Sequence, residues 1–305
     1  MPLHARTLKS SAREAMRAAA PPAVLVTLVY LLLTQVLAEV VYTFIPSAAF
    51  GDLLYGQGSG TWMALFLTVL LTIYQAVMTF GYSCWALRTA RGEQSGLGSL
   101  MEGFGMVGRV LLMEINIFLG ILGWTLLLAL GYIIAVFTIA FALPRGLALA
   151  ATILLSIAFY LGVLSISFRY ELTHFLLCDY PEDGSTKAVH RSLEMMHGHF
   201  WDMVKLQLSF WPWYLLSLLM TLGAMCVAAL PILGEFTSLH HVGNLDALTA
   251  MLQTAMSGTL ATVLVMLMAF PVHLFFYPYQ RVSVANFYRA LSYEMKEKPP
   301  FESEF

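Results

Sequence analysis

The chain has 305 residues, of which 59% are hydrophobic and 11% charged, with a formal net charge of −2. An average soluble domain carries about 25% charged residues, and a chain of this length cannot hide so much apolar surface in one aqueous core. The near-neutral charge gives no basic stripe for nucleic acid, and the mean hydropathy of +0.75 makes a lipid bilayer the expected surroundings.

The first element in chain order is a basic segment over 1–20. Leu8, Ala12, Ala15, Met16 and Ala19 recur at helical spacing, and Arg6, Lys9, Arg13 and Arg17 recur on another face. That pattern predicts an amphipathic helix lying in the membrane interface with its cations on anionic headgroups. The basic stretch is long and lacks a small-residue cleavage site after a short apolar region, so a cleavable signal is not expected.

Six uncharged apolar stretches follow, 18–38, 53–87, 115–144, 146–168, 206–234 and 247–280. Each reaches the roughly 20 residues a helix needs to cross the hydrocarbon core. The runs are continuous, not alternating, which selects helices over a barrel. Spans are predicted at 22–43, 61–85, 111–141, 147–170, 206–230 and 255–277. The expected fold is therefore all-α: a polytopic membrane protein whose six transmembrane helices form a single domain, with the six-helix region over 22–295 and a charged, flexible tail over 296–305.

The flanks of these stretches are asymmetric. All but one of the sixteen Lys and Arg residues fall on one side of the pattern, and Arg145 stands alone on the other. Lys and Arg near membrane spans stay in the cytoplasm, so both termini are expected there, in a cell membrane. Cys84 and Cys178 fall on that side and are expected as reduced thiols. No CxxC occurs. Tyr82, Trp85, Trp201, Tyr277 and Tyr279 also fall near the inner surface, where rings favour the headgroup zone.

Two further helix-prone segments, 96–110 and 184–206, precede the third and fifth spans as 1–20 precedes the first. The pattern predicts three hairpin units, each led by a cytoplasmic interfacial helix, with Lys187 and Arg191 of the third segment also on headgroups. The outer connections differ: 46–60 reads as a plain loop, the turn at Pro144-Arg145-Gly146 is tight, and 233–256 is long with a pattern suited to a surface helix. Pro212, Pro231 and Pro271 mark bends or ends.

Few residues offer chemistry. A charge at a helix centre costs about 2.5–3.5 kcal/mol on insertion scales, which singles out polar groups near the spans: Glu114 and Asn116 in the third, Arg169 and Glu171 at the exit of the fourth, His273 in the last, and His197 in the segment before the fifth. These are the candidates for a ligand or polar cavity. No charge is expected at the midplane, where a proton-coupled transporter would place one. The sets His190/His197/His199, His174/Cys178/Asp179 and His240/His241/Asp246 lack metal-site spacing, and HExxH, GxSxG, Walker A and GxGxxG are all missing. No metal, cofactor or catalytic residue is expected, and an enzyme fits worst.

Residues 170–213 contain Asp179, Pro181, Ser192, Met196, Gly198, then Leu208-Ser209-Phe210 and Trp213. Pro278-Tyr279 and Phe287-Tyr288 follow downstream, and Leu8-Lys9 and Ala12-Arg13 precede. This pattern resembles the bacterial integral membrane family known as domain of unknown function 975, over most of the chain. The long 233–256 segment departs from it. The resemblance implies the cell membrane of a bacterium, a Gram-positive one, with no established activity and no cofactor. Two function classes follow: a non-catalytic protein that organises lipid or binds a membrane protein partner, and a transporter or exporter component for a small molecule or lipid, with a cavity between the hairpins. The first is favoured.

Overall fold

The computed structural model describes residues 4–44, 59–238 and 259–297. The 46–60 loop lies almost wholly outside them. So do His240, His241 and Asp246, most of the 233–256 connection, and the last eight residues of the tail. Every regular element among the described residues is helical.

Helix α1 (Ala5–Ala18) ends at Ala19, ahead of Pro21 and Pro22, which cannot extend it. Three segments then run on as one rod, α2: Ala23–Leu31, a π-helical turn at Leu32–Val36, and Leu37–Phe44. Helix α3 (Ser59–Arg91) is stopped by Gly92, whose φ of 78° is left-handed and suits a glycine. A 3-10 turn (Leu97–Met101) and a short α4 (Glu102–Gly105) lead into α5 (Val107–Ala142). Pro144 opens α6 (Arg145–Phe168) after the tight turn expected there. Three short helices follow, α7 (Thr173–Asp179), α8 (Ser185–Met196) and α9 (Phe200–Leu208). Two long ones complete the chain, α10 (Trp211–Ser238) and α11 (Thr259–Glu297).

Six of these helices are long and apolar enough to cross a membrane, as the composition requires. Several boundaries differ from expectation, most at the ends of the second, fourth and last spans. The second span continues to Arg91 and the last to Tyr293, well past 85 and 277. Arg88, Arg281 and Arg289 interrupt the apolar run but not the helix, because each finds a partner inside the protein. Pro271 and Pro278 are likewise carried inside α11, and Pro231 inside α10, without ending either.

Burial is very uneven along the helices. The core gathers at one end, where α1, the far halves of α3 and α11, the start of α5, and α7 to α9 meet. Trp85, Phe80, Phe175, Phe210, Phe287 and Tyr288 are its largest fully buried side chains. We call this the basal layer. Beyond it the bundle opens: α6 has no buried residue, and the last buried residue of α5 is Ile117. These two helices pack on each other, stitched by Tyr132 to Ser156 at 3.0 Å, and their outer faces are bare Leu, Ile and Phe. Helices α10 and α11 form the other close pair, whereas α2 lies chiefly along α11. It meets α3 through Thr27 and Tyr30, which pair with Tyr82 by hydroxyl contact at 2.9 Å and ring stacking at 4.2 Å.

One expectation is corrected here. Cys84 and Cys178 are not separate thiols but a disulfide, with Cα atoms 5.7 Å apart. Helices α3 and α7 lie side by side, which brings the pair within bridging reach. A sequence separation of 94 residues hides that contact from any local reading.

Candidate functional site

The basal layer holds most of the chain's polar machinery, and its parts come from distant helices. On α11, Arg281 reaches three neighbours. Its Nη1 donates to Glu171 Oε1 at 2.5 Å, its Nη2 donates to Ser83 Oγ at 2.8 Å, and its guanidinium lies 5.2 Å from the centre of the Phe175 ring. The turn after α6, α3 and α7 are thereby tied to one cation. A second knot centres on Asp179 at the end of α7, whose Oδ2 accepts from Arg91 at 2.6 Å and from the Tyr288 hydroxyl at 2.8 Å. A third is the two-pronged pair of Arg88 with Glu102, its outer bond 2.8 Å long, the geometry in which guanidinium and carboxylate match best.

The sequence-predicted cavity residues divide among different partners. Glu114 meets His174 Nε2 at 2.8 Å. Asn116 faces Thr186 at 3.5 Å. Glu171 is held by Arg281. His273 joins none of these three knots, its Nε2 lying 3.1 Å from Ser217 Oγ between α10 and α11. Arg169 and His197 share a cavity: an opening of about 520 Å3 at the edge of the layer, bounded also by Trp124 and Phe200.

The headgroup candidates divide too. Arg6, Arg17 and Lys187 are exposed. Lys9 instead turns into the protein: Nζ donates to the Ser209 carbonyl at 2.9 Å and sits 4.4 Å above the Phe210 ring. Arg13 lies 5.2 Å from the Tyr279 ring, and Arg191 pairs with Asp183 and with the Tyr180 ring. The apolar face of α1 is covered by protein, with Leu8 and Ala12 fully buried and the Leu8 carbonyl accepting from Asn286. Burial, reinforced by the charge of Arg13, holds the Lys9 ammonium below the ordinary lysine range.

Sequence reasoning missed Arg281 as a hub, since it figured only as a topology marker. The signal was present in Phe276-Tyr277-Pro278-Tyr279-Gln280-Arg281, where aromatic and charged residues continue a helical period. Among the described residues, no cluster of three metal-ligating side chains occurs.

The residues of the recurring pattern also meet in this layer. Pro181 offers its carbonyl to Arg109, and Ser192 donates to the Arg169 carbonyl at 2.9 Å. Met196, Phe210, Tyr279 and Tyr288 are buried. Gly198 takes a φ of 88°, open to glycine at little cost. A family model described as protein of unknown function (DUF975) matches residues 3–295. The chain belongs to that family. No curated protein and no solved structure matches it. In this DUF975 protein the family pattern is thus a set of contacts that assemble one layer.

Proposed function

We propose that this DUF975 protein is a non-catalytic, multi-pass protein of a bacterial cell membrane that organises lipid or a membrane partner. In this proposal three hairpins stand on a cytoplasmic layer, the two termini lie on that side, and the exposed cations of α1 and α8 meet anionic headgroups. One observation carries it. Several polar groups suited to a reaction or a transport path are engaged with one another, as in Glu114 with His174 and Glu171 with Arg281, while α5 and α6 leave long apolar faces uncovered by the other described residues. Such faces need lipid or another protein.

The apolar crevice between α2 and α3, lined by Leu37, Leu67, Leu71, Tyr74 and Val77, supports the same view, because a path for a polar substrate needs polar walls. Orientation rests on the Lys and Arg asymmetry. The Cys84–Cys178 disulfide points the other way, toward an oxidising compartment. The charge rule is given more weight in this proposal, since Cys84 is buried within the layer and shielded from soluble thiols.

Cysteines introduced one at a time at Leu67, Leu71 and Val77 test the assignment against transport. In cells, a membrane-impermeant maleimide is expected to leave all three unlabelled. Labelling of a continuous series would establish a water path and replace the scaffold with a transporter.

A further inference from the structure

The cavity at the edge of the basal layer has a composition and a position that specify an occupant. Its volume of about 520 Å3 lies within the roughly 300–1,000 Å3 of small-ligand sites. Its polar lining is cationic. Arg88, Arg91 and Arg281 each hold a carboxylate, whereas the Arg169 guanidinium has no carboxylate partner among the described residues and is exposed, as is His197 beside the same opening. The rest of its lining is largely aromatic and aliphatic, with Trp124, Ile166 and Phe200.

Depth matches this polarity. Ile117 is the last buried residue of α5, and α6 has none before its end. Trp124 lies seven residues past Ile117, about 10 Å further along the helix. The cavity therefore straddles the level at which the charged layer gives way to bare apolar helix, and its apolar wall runs on into the exposed face of the α5–α6 hairpin.

The site is also built. Ser192 on α8 fixes the Arg169 carbonyl. Tyr170 closes the inner wall by seating its hydroxyl on Gly120, where a Cβ would stand 2.4 Å from that oxygen. The left-handed Gly198 turns the chain from α8 into α9 and delivers Phe200.

We propose that this cavity binds one anionic phospholipid, with its phosphate on Arg169 and His197 and an acyl chain along Trp124 and Ile166. Guanidinium and phosphate match in charge and in planar two-pronged geometry, and a soluble anion would leave the apolar half empty. The assignment rests on the membrane placement proposed above and gives that scaffold its ligand class.

Native mass spectrometry of the full-length protein in detergent, titrated with phosphatidylglycerol or phosphatidylcholine, tests it. Wild type is expected to retain a single phosphatidylglycerol in preference to phosphatidylcholine. Arg169→Gln is expected to weaken that binding about tenfold or more, the scale of one charged hydrogen-bonded contact. Arg169→Lys should fall between the two, and His197→Gln, at an exposed position, should weaken binding without touching the core. Arg145→Gln, outside the cavity, is expected to bind as wild type does. Equal binding of the two lipids, wild-type affinity in Arg169→Gln, or equal binding of soluble glycerol phosphate would overturn the site. Membrane fractionation separates the two levels: a wild type that inserts but shows no preference for phosphatidylglycerol refutes the site alone, and failure of the wild type to insert refutes the membrane placement.

Discussion

At the scale of single residues, Arg281 shows how the layer is held. A guanidinium that donates to Glu171 and Ser83 and covers Phe175 replaces water on three sides, and removing it leaves a largely covered carboxylate without its counter-charge. Arg281→Ala is expected to destabilise the protein by about 1.5–3 kcal/mol, the cost of a lost hydrogen bond to a charged group, read as thermal unfolding in detergent. Because Glu171 then has little left to lose, Glu171→Ala added to it should cost much less than Glu171→Ala alone; fully additive losses would mean the two residues act independently. Lys9 gives a pH-dependent test. Its folded pKa is depressed, first by burial and then by Arg13, so the folded state binds fewer protons than the unfolded one near that pKa. The cost of charging Lys9 is complete at lower pH and is relieved as pH rises through the folded pKa toward the unfolded value of about 10.4. The stability of wild type relative to Lys9→Met is therefore expected to improve on going from about pH 8 to about pH 10, and a flat difference would contradict the depressed pKa of this partly buried Lys9.

At the scale of elements, close approach of helix α3 to the segment after it sets the shape of the layer. A Cβ on Gly81 would lie 2.2 Å from the Leu100 carbonyl oxygen, and one on Gly103 would lie 2.5 Å from that of Val77. Both obstacles are backbone and cannot rotate away. At Gly120 the obstacle is the tip of the Tyr170 side chain. Gly81→Ala and Gly103→Ala are accordingly expected to cost about 1–3 kcal/mol, as overpacking does, and Gly120→Ala less, in the same unfolding measurement. Equal losses at all three positions would show that side-chain relief does not operate. The elements themselves were largely legible in the sequence, because apolar run length reports directly on membrane-spanning helices. What escaped was contact. Amphipathic spacing over Leu8, Ala12 and Met16 predicted a helix with one covered face but not its cover, and protein takes the place assigned to lipid. The last span is predicted to end at 277, short of Arg281, whereas the helix runs on through that charge. The Glu171 that pairs with this arginine is 110 residues away, a distance no local pattern bridges. Of the predicted cavity set, Arg169 and His197 line one cavity, whereas Glu114 and Glu171 are absorbed by partners that only the fold brings near.

At the scale of the whole molecule, the protein is a tight polar and aromatic layer from which long apolar helices extend. Charges from α3, α7 and α11 meet within the layer, and beyond it the helices pack chiefly as the pairs α5–α6 and α10–α11, with the outer faces of α5 and α6 bare. That division suits a scaffold: the layer fixes geometry, and the exposed helices present surface to whatever the membrane supplies. The account stands on the α5–α6 hairpin crossing the bilayer, with its turn at Arg145 on one side and the layer on the other. In intact cells, single cysteines at Arg145 and at Lys187, both exposed in the folded chain, decide it with one membrane-impermeant maleimide. The expected result is labelling at position 145 from outside and none at 187 until the cells are opened. Labelling of both, of neither, or of 187 alone in intact cells would contradict it.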